Sequence, residues 1–148
     1  MLIVLNEWIF HDLWGQNGEQ AQREAVRFLR ALVDTTDSLI VPSEPRWTGK
    51  ANRLMGFLDD RRRRISKVFR SLYDDSDRAL RVRTEGTGAI PDELLARLPE
   101  EDVYLVSAYL LASADVLVTT DVPLYEALTD SEPVTCRMRE DFLAEYLH

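Results

Sequence analysis

The 148-residue chain has about one domain's worth of length, enough to bury a core without disulfide staples. Its 45% hydrophobic and 30% charged residues are ordinary for a soluble globular protein and argue against disorder. The single cysteine, Cys136, excludes an internal disulfide and a cysteine zinc cluster, no apolar run reaches the roughly 20 residues of a membrane span, and a formal net charge of −8 disfavours general polyanion binding.

In chain order, Leu2 to Leu5 is a continuous apolar run rich in Ile and Val, the pattern of a central strand buried on both faces. From Glu19 to Val33, Ala21, Ala25, Phe28, Leu29 and Leu32 recur at helical spacing and leave Gln20, Arg23, Arg27 and Arg30 toward water, which predicts an amphipathic helix. Leu39 to Val41 predicts a second strand, ended by Pro42 and Pro45, which cannot donate ladder hydrogen bonds, and a loop after it. Leu54, Phe57 and Leu58, then Ile65, Val68, Phe69 and Leu72, keep helical periodicity on either side of Asp59 and Asp60, so two helices are expected. Leu80 to Val82 reads as a short extended piece before the glycine-containing loop Thr84 to Gly88.

Pro91 opens a short helix through Leu98, with Asp92 and Glu93 well placed in its first turn, and Pro99 ends it. Val103, Val106, Tyr109 and Ala114 mark a helix whose apolar neighbours predict burial on more than one side. Val116 to Thr119 is a third strand, Pro123 begins a helix to Leu128, Val134 to Cys136 adds an edge strand, and Arg139 to Leu147 closes the chain as a helix. Strands alternating with helices predict an α/β protein: a single three-layer α/β/α domain over residues 1–148 with a central, mostly parallel sheet. Met1 runs straight into the first strand without a basic leader, which with the lone thiol points to the cytoplasm and to no membrane partner.

The stretch Pro99 to Asp121 carries the chemistry. Ligands of open α/β sheets bind outside the carboxyl ends of strands, where Asp121 follows its strand, and a helix packed back on the sheet brings Asp102 to the same crevice. Two acids there suit a hard divalent cation, Mg²⁺ or Mn²⁺, rather than Zn²⁺, and so point to phosphate chemistry. Arg61, Arg62, Arg63, Arg64, Lys67 and Arg70 crowd one helical stretch, a basic face on an acidic body or simply a solvated helix surface. Trp8, Trp14 and Trp47 fall near the loops of the expected crevice; Trp8 with Phe10 reads as core, and Trp47, beside Arg46 in the loop, is the candidate for stacking on an unpaired base. Asp12, beside His11, reads as a surface residue, with entry into the site from the first loop as the alternative.

Glu101-Asp102-Val103, the alanine-containing helix with Ala108 and Ala112, and Val118-Thr119-Thr120-Asp121 resemble the PIN domain, a family of metal-dependent ribonucleases. The first strand leading to Asn6 and Glu7 fits the start of that family, although Asn6 stands where the family usually has Asp. The resemblance implies Asp102 and Asp121 as principal metal ligands, Asn6 or Glu7 completing the cluster, Glu44 as the nearest counterpart of a further acid, and Thr119 or Thr120 holding a ligand or water. It implies Mg²⁺ or Mn²⁺ as cofactor and single-stranded RNA as substrate, met by Arg46, Trp47, Arg62, Arg63 and Lys67. A toxin role with an antitoxin protein as partner, and a homodimer, belong to the same implication. The alternative is a PIN-like module that binds RNA or a protein without cleaving, because Asn6 removes a charge.

Overall fold

The fold is described from a computed structural model covering residues 1–56, 59–130 and 133–148, the side chain of Arg61 excepted. Phe57 and Leu58, expected in a helical segment, lie outside the described residues.

Five strands form one parallel sheet: β1 (Leu2–Leu5), β2 (Ser38–Pro42), β3 (Ala79–Val82), β4 (Val116–Thr119) and β5 (Cys136–Met138), in the spatial order β3-β2-β1-β4-β5. Leu5 pairs with Val118 and Ile3 with Val116, so β1 and β4 end side by side. Ile3, Val4, Leu5, Leu117 and Val118 are all essentially inaccessible, as the uninterrupted apolar runs require of strands covered on both faces.

The helices are α1 (Trp8–Leu13), α2 (Glu19–Val33), α3 (Pro45–Met55), α4 (Asp60–Tyr73), α5 (Asp92–Leu95), α6 (Val103–Ala112), α7 (Val122–Leu128) and α8 (Arg139–Tyr146). The path from β1 to β2 to β3 runs toward one edge, and the path from β3 to β4 to β5 returns past β1 to the other. Right-handed crossovers therefore place α2, α3 and α4 on one face and α6 and α7 on the opposite face. α6 lies across β1, β2, β3 and β4 and is apolar all round, with Leu105, Val106 and Ala108 fully buried. On the other face α1, α2, α3, α4 and α8 pack on one another around Phe10, Phe28, Trp47 and Phe69. The three-layer α/β/α architecture agrees with the sequence reading.

Several local expectations differ. α1 was not anticipated, because six residues are too few to display a helical period. Pro45 opens α3 instead of prolonging a loop: its fixed φ suits a first helical position, and Glu44 takes the extended cap conformation before it. β5 lies two residues later than expected, and α5 stops at Leu95 instead of Leu98. α6 ends at Ala112, with Ser113 in the left-handed conformation at φ 52°.

Asp12, expected at the surface, is 2% exposed and holds the buried Arg139 of α8 through Oδ2 at 2.6 Å, while Asn17 donates to its other oxygen at 2.7 Å. The burial comes from the unanticipated α1, which turns Asp12 inward against α8.

Candidate metal centre

β1 leaves toward β2 on one side and meets β4 on the other, so the chain reverses its order between these two strands. The crevice outside their carboxyl ends is the place where ligands of open parallel sheets bind. Here it has a volume of about 400 Å³ and opens to solvent between the end of β1, the start of α6 and the end of β4.

Two indoles bond to the ends of the paired strands, and Trp8 also lines the crevice. The Trp8 indole donates to the Val118 carbonyl at 3.0 Å, and the Trp47 indole donates to the Leu5 carbonyl at 2.8 Å. The Val118 carbonyl also accepts from the Asn6 backbone at 3.0 Å, so the Trp8 indole adds a second bond there.

The first strand end is tied to the fourth through side chains. Asn6 donates from Nδ2 to Thr119 Oγ1 at 2.9 Å and accepts from the Glu7 backbone at 2.5 Å, while Thr119 Oγ1 also accepts from the Asp121 backbone at 2.9 Å. Thr119 is fully buried and Asn6 is 8% exposed, so both act as joints between strands beneath the crevice.

Glu101, Asp102 and Asp121 each place a carboxylate oxygen within 4.8 Å of the others. Asp102 sits on a single 3₁₀ turn, Glu100–Asp102, that precedes α6, and is only 3% exposed. Asp121 caps α7, its Oδ1 accepting from the Leu124 backbone at 3.1 Å. The cap takes one bond at Oδ1 and leaves acceptor capacity on the carboxylate, so capping and ligation are compatible.

The Asp102 carboxyl is pushed up to about 7, first by burial, then by the charges of Asp121 and Glu101, its hydrogen bond with Asp121, and the charge of Glu7. Its Oδ2 is buried and has no hydrogen-bond partner among the described residues. A buried acceptor left unmatched costs about 1–3 kcal/mol, and polar groups in folded interiors are otherwise almost always satisfied. Three oxygens at this spacing fit the first shell of a hard divalent cation, whose oxygen ligands lie roughly 2.0–2.6 Å from the ion. The orphaned oxygen is the atom such an ion would engage.

Glu7 is oriented elsewhere. The Lys50 ammonium on α3 holds its carboxylate, and the Tyr104 hydroxyl donates to it at 3.3 Å. Its neutralisation by Lys50 explains why it lines the crevice without joining the acidic trio. Lys50 also lies 3.5 Å from His11 Nε2, so Glu7, Lys50 and His11 form one bonded group in the crevice lining.

Glu44 is not brought to the crevice: the position before Pro45 makes it the cap residue of α3, where it pairs with Arg46 at 3.4 Å. The Arg46 guanidinium in turn lies 5.7 Å above the Tyr104 ring. Trp47, expected to be an exposed stacking ring in a loop, is 1% exposed inside α3 and packs edge-to-face on Phe10 at 4.9 Å. Its indole is committed to Leu5, which leaves no face for a base. Arg62, Arg63 and Lys67 are exposed on α4, and none lines the crevice; Arg62 pairs with Asp59 at 3.6 Å.

Glu101, Lys50 and Asn17 are crevice residues without a counterpart in the sequence reading. Glu101 stood in view within the acidic run, but a 3₁₀ turn rotates successive side chains by about 120°, so adjacency to Asp102 did not imply a shared direction. Lys50 carried no signal, since the helix expected around Leu54 begins earlier, at Pro45, than its periodicity shows.

Comparison with protein-family models, with curated proteins and with solved structures finds no match to this chain. Among the described residues no helix is long and apolar enough to cross a membrane.

Proposed function

We propose that the chain is a metal-dependent endoribonuclease that cleaves single-stranded RNA, with Glu101, Asp102 and Asp121 holding Mg²⁺ or Mn²⁺. The observation that carries the reading is the buried, unpartnered Oδ2 of Asp102 inside an acidic trio at the sheet's switch point. When bound, such a cation supplies an acidified water and charge neutralisation at a phosphoryl group.

The chain's own residues do the remaining work. Asp121 is fixed by its capping bond and by the Thr119 hydroxyl that accepts from its backbone, so one ligand arm is rigid before anything binds. Asn6 holds β1 and β4 in register beneath it. Lys50, held by Glu7, and His11 beside it also line the crevice and offer an ammonium and a ring nitrogen as hydrogen-bonding groups for a phosphate. Trp8 and Asn17 close the floor and side. The sequence resemblance to PIN domains supports the same reading, and a cytoplasmic toxin restrained by an antitoxin, or a homodimer, belongs to it.

Labelled single-stranded RNA incubated with the protein and Mn²⁺ is expected to be cut, and Asp121→Asn to reduce cleavage by at least about a hundredfold. Equal cleavage by both proteins, or none by the wild type at millimolar Mn²⁺, would remove the nuclease reading.

A second reading, an RNA- or protein-binding module without cleavage, is favoured by one feature. Asn6 is neutral and Glu7 is neutralised by Lys50, so the end of β1 adds no free anion to the site. In that case Mn²⁺ raises the melting temperature while RNA stays intact.

A further inference from the structure

The crevice takes up none of the molecule's concentrated positive charge. Arg23, Arg27 and Arg30 stand at i, i+4 and i+7 on α2, and with Arg64 of α4 they line a separate groove of about 350 Å³ over Val26 and Ile65. Among the described residues no carboxylate lines that groove. Arg23 pairs with the exposed Glu19 at 3.0 Å, whereas Arg27, Arg30 and Arg64 have no ion-pair partner among the described residues. Like charges one helical turn apart destabilise a helix, and in a chain of net charge −8 acids to neutralise them are abundant. Their absence here means the groove is built to meet an anion from outside.

We propose that the α2–α4 groove binds single-stranded nucleic acid, its arginines meeting phosphates and its apolar floor meeting sugars and base faces. Guanidinium forks match phosphate oxygens in pairs and also stack on bases. The floor decides between strand forms: a duplex turns only its phosphates outward and has no use for Val26 and Ile65, whereas an unpaired strand exposes base faces that apolar groups and guanidinium planes cover. The three α2 arginines span roughly 10 Å of helix axis, room for a short run of nucleotides.

A smaller neighbouring depression shares Gln22 with the groove, but the carboxylates of Glu19 and Asp59 line it beside Arg62, so the uncompensated charge is confined to the α2–α4 groove. Binding there does not rest on the nuclease reading.

Anisotropy of a fluorescein-labelled oligouridylate on the order of ten nucleotides, titrated with the full chain in EDTA at low salt, separates binding from cleavage. Arg27→Glu and Arg64→Glu are each expected to weaken binding about fivefold or more and to flatten the salt dependence by about one unit of slope. Arg27→Lys, which keeps the charge and tests against a folding defect, is expected to lose less affinity than Arg27→Glu while giving up the paired phosphate contacts and the stacking. Arg83→Glu makes the same charge change at an exposed residue outside the groove and is expected to weaken binding by less than about twofold.

Equal losses in Arg27→Glu and Arg83→Glu would overturn the proposal. So would a duplex of the same length binding as tightly, or polyglutamate displacing the strand as well as unlabelled oligouridylate does. Because the titration contains no metal, binding that survives in an inactive Asp121→Asn protein upholds the groove whatever becomes of the nuclease reading. Cleavage by wild-type protein without arginine-dependent binding would remove the groove alone.

Discussion

Replacing Asp102 by Asn is expected to make the metal-free protein more stable at mildly alkaline pH, although it deletes a candidate ligand. The folded-state carboxyl is raised from 3.8 to about 7, so its protonated form is favoured by folding. The stability this contributes is fully present below about pH 4 and is lost as pH rises toward and through 7. About three units at ~1.4 kcal/mol each set a ceiling near 4 kcal/mol. Relaxation of the neighbouring acids and entry of water reduce it, and about 2 kcal/mol is the expected gain for an amide that never ionises. At roughly 2–4 °C per kcal/mol for a domain of this size, the variant should melt about 4–8 °C above wild type near pH 8. Circular-dichroism melts in EDTA at about pH 8 and about pH 5 make the check. The gap should shrink at the lower pH, where wild-type Asp102 holds its proton. A variant that melts below wild type at the higher pH, or a gap equal at both, would refute the account of this carboxyl as an electrostatically strained acid.

Asn6→Asp adds a charge beside the trio: Mn²⁺ affinity measured by calorimetry should rise by up to about tenfold, and the metal-free melting point should fall by a few degrees. Arg139→Met strands the buried carboxylate of Asp12, 2.6 Å from the missing guanidinium, and should cost about 3–5 kcal/mol in urea unfolding. A loss below about 1 kcal/mol would show that pair to be unimportant. Ser113→Gly relieves the left-handed backbone at φ 52° after α6 and should add up to about 1 kcal/mol of stability by the same measurement. The Cys136 thiol is pushed up to about 12 by burial, so it should react with a disulfide reagent near pH 8 far more slowly than a free cysteine, and accelerate only on unfolding.

The centre of the sheet was legible because its strands are short, dominated by apolar residues and separated by helical patterns, and parallel burial leaves that imprint on Leu2 to Leu5 and Val116 to Val118. Asp102 and Asp121 could be placed at one crevice because each adjoins an element that packs on the sheet. The hidden part lay where a residue's role depends on a neighbour distant in sequence. Asp12 looked like a surface acid until α8 delivered Arg139 to it, 127 residues away. Trp47 and Glu44 were assigned to a loop because the two prolines near them read as terminators, whereas the second one opens a helix. Glu7 has the composition of a ligand, and only the fold reveals that Lys50 holds it.

The indoles beneath the crevice give the molecule an optical gauge. Trp8 and Trp47 each bond to a carbonyl at the lip of β1 or β4, within the same few residues that carry Asn6 and Asp121. Any ion that draws those lips together perturbs two emitters at once, so occupancy can be followed by intrinsic fluorescence without a label.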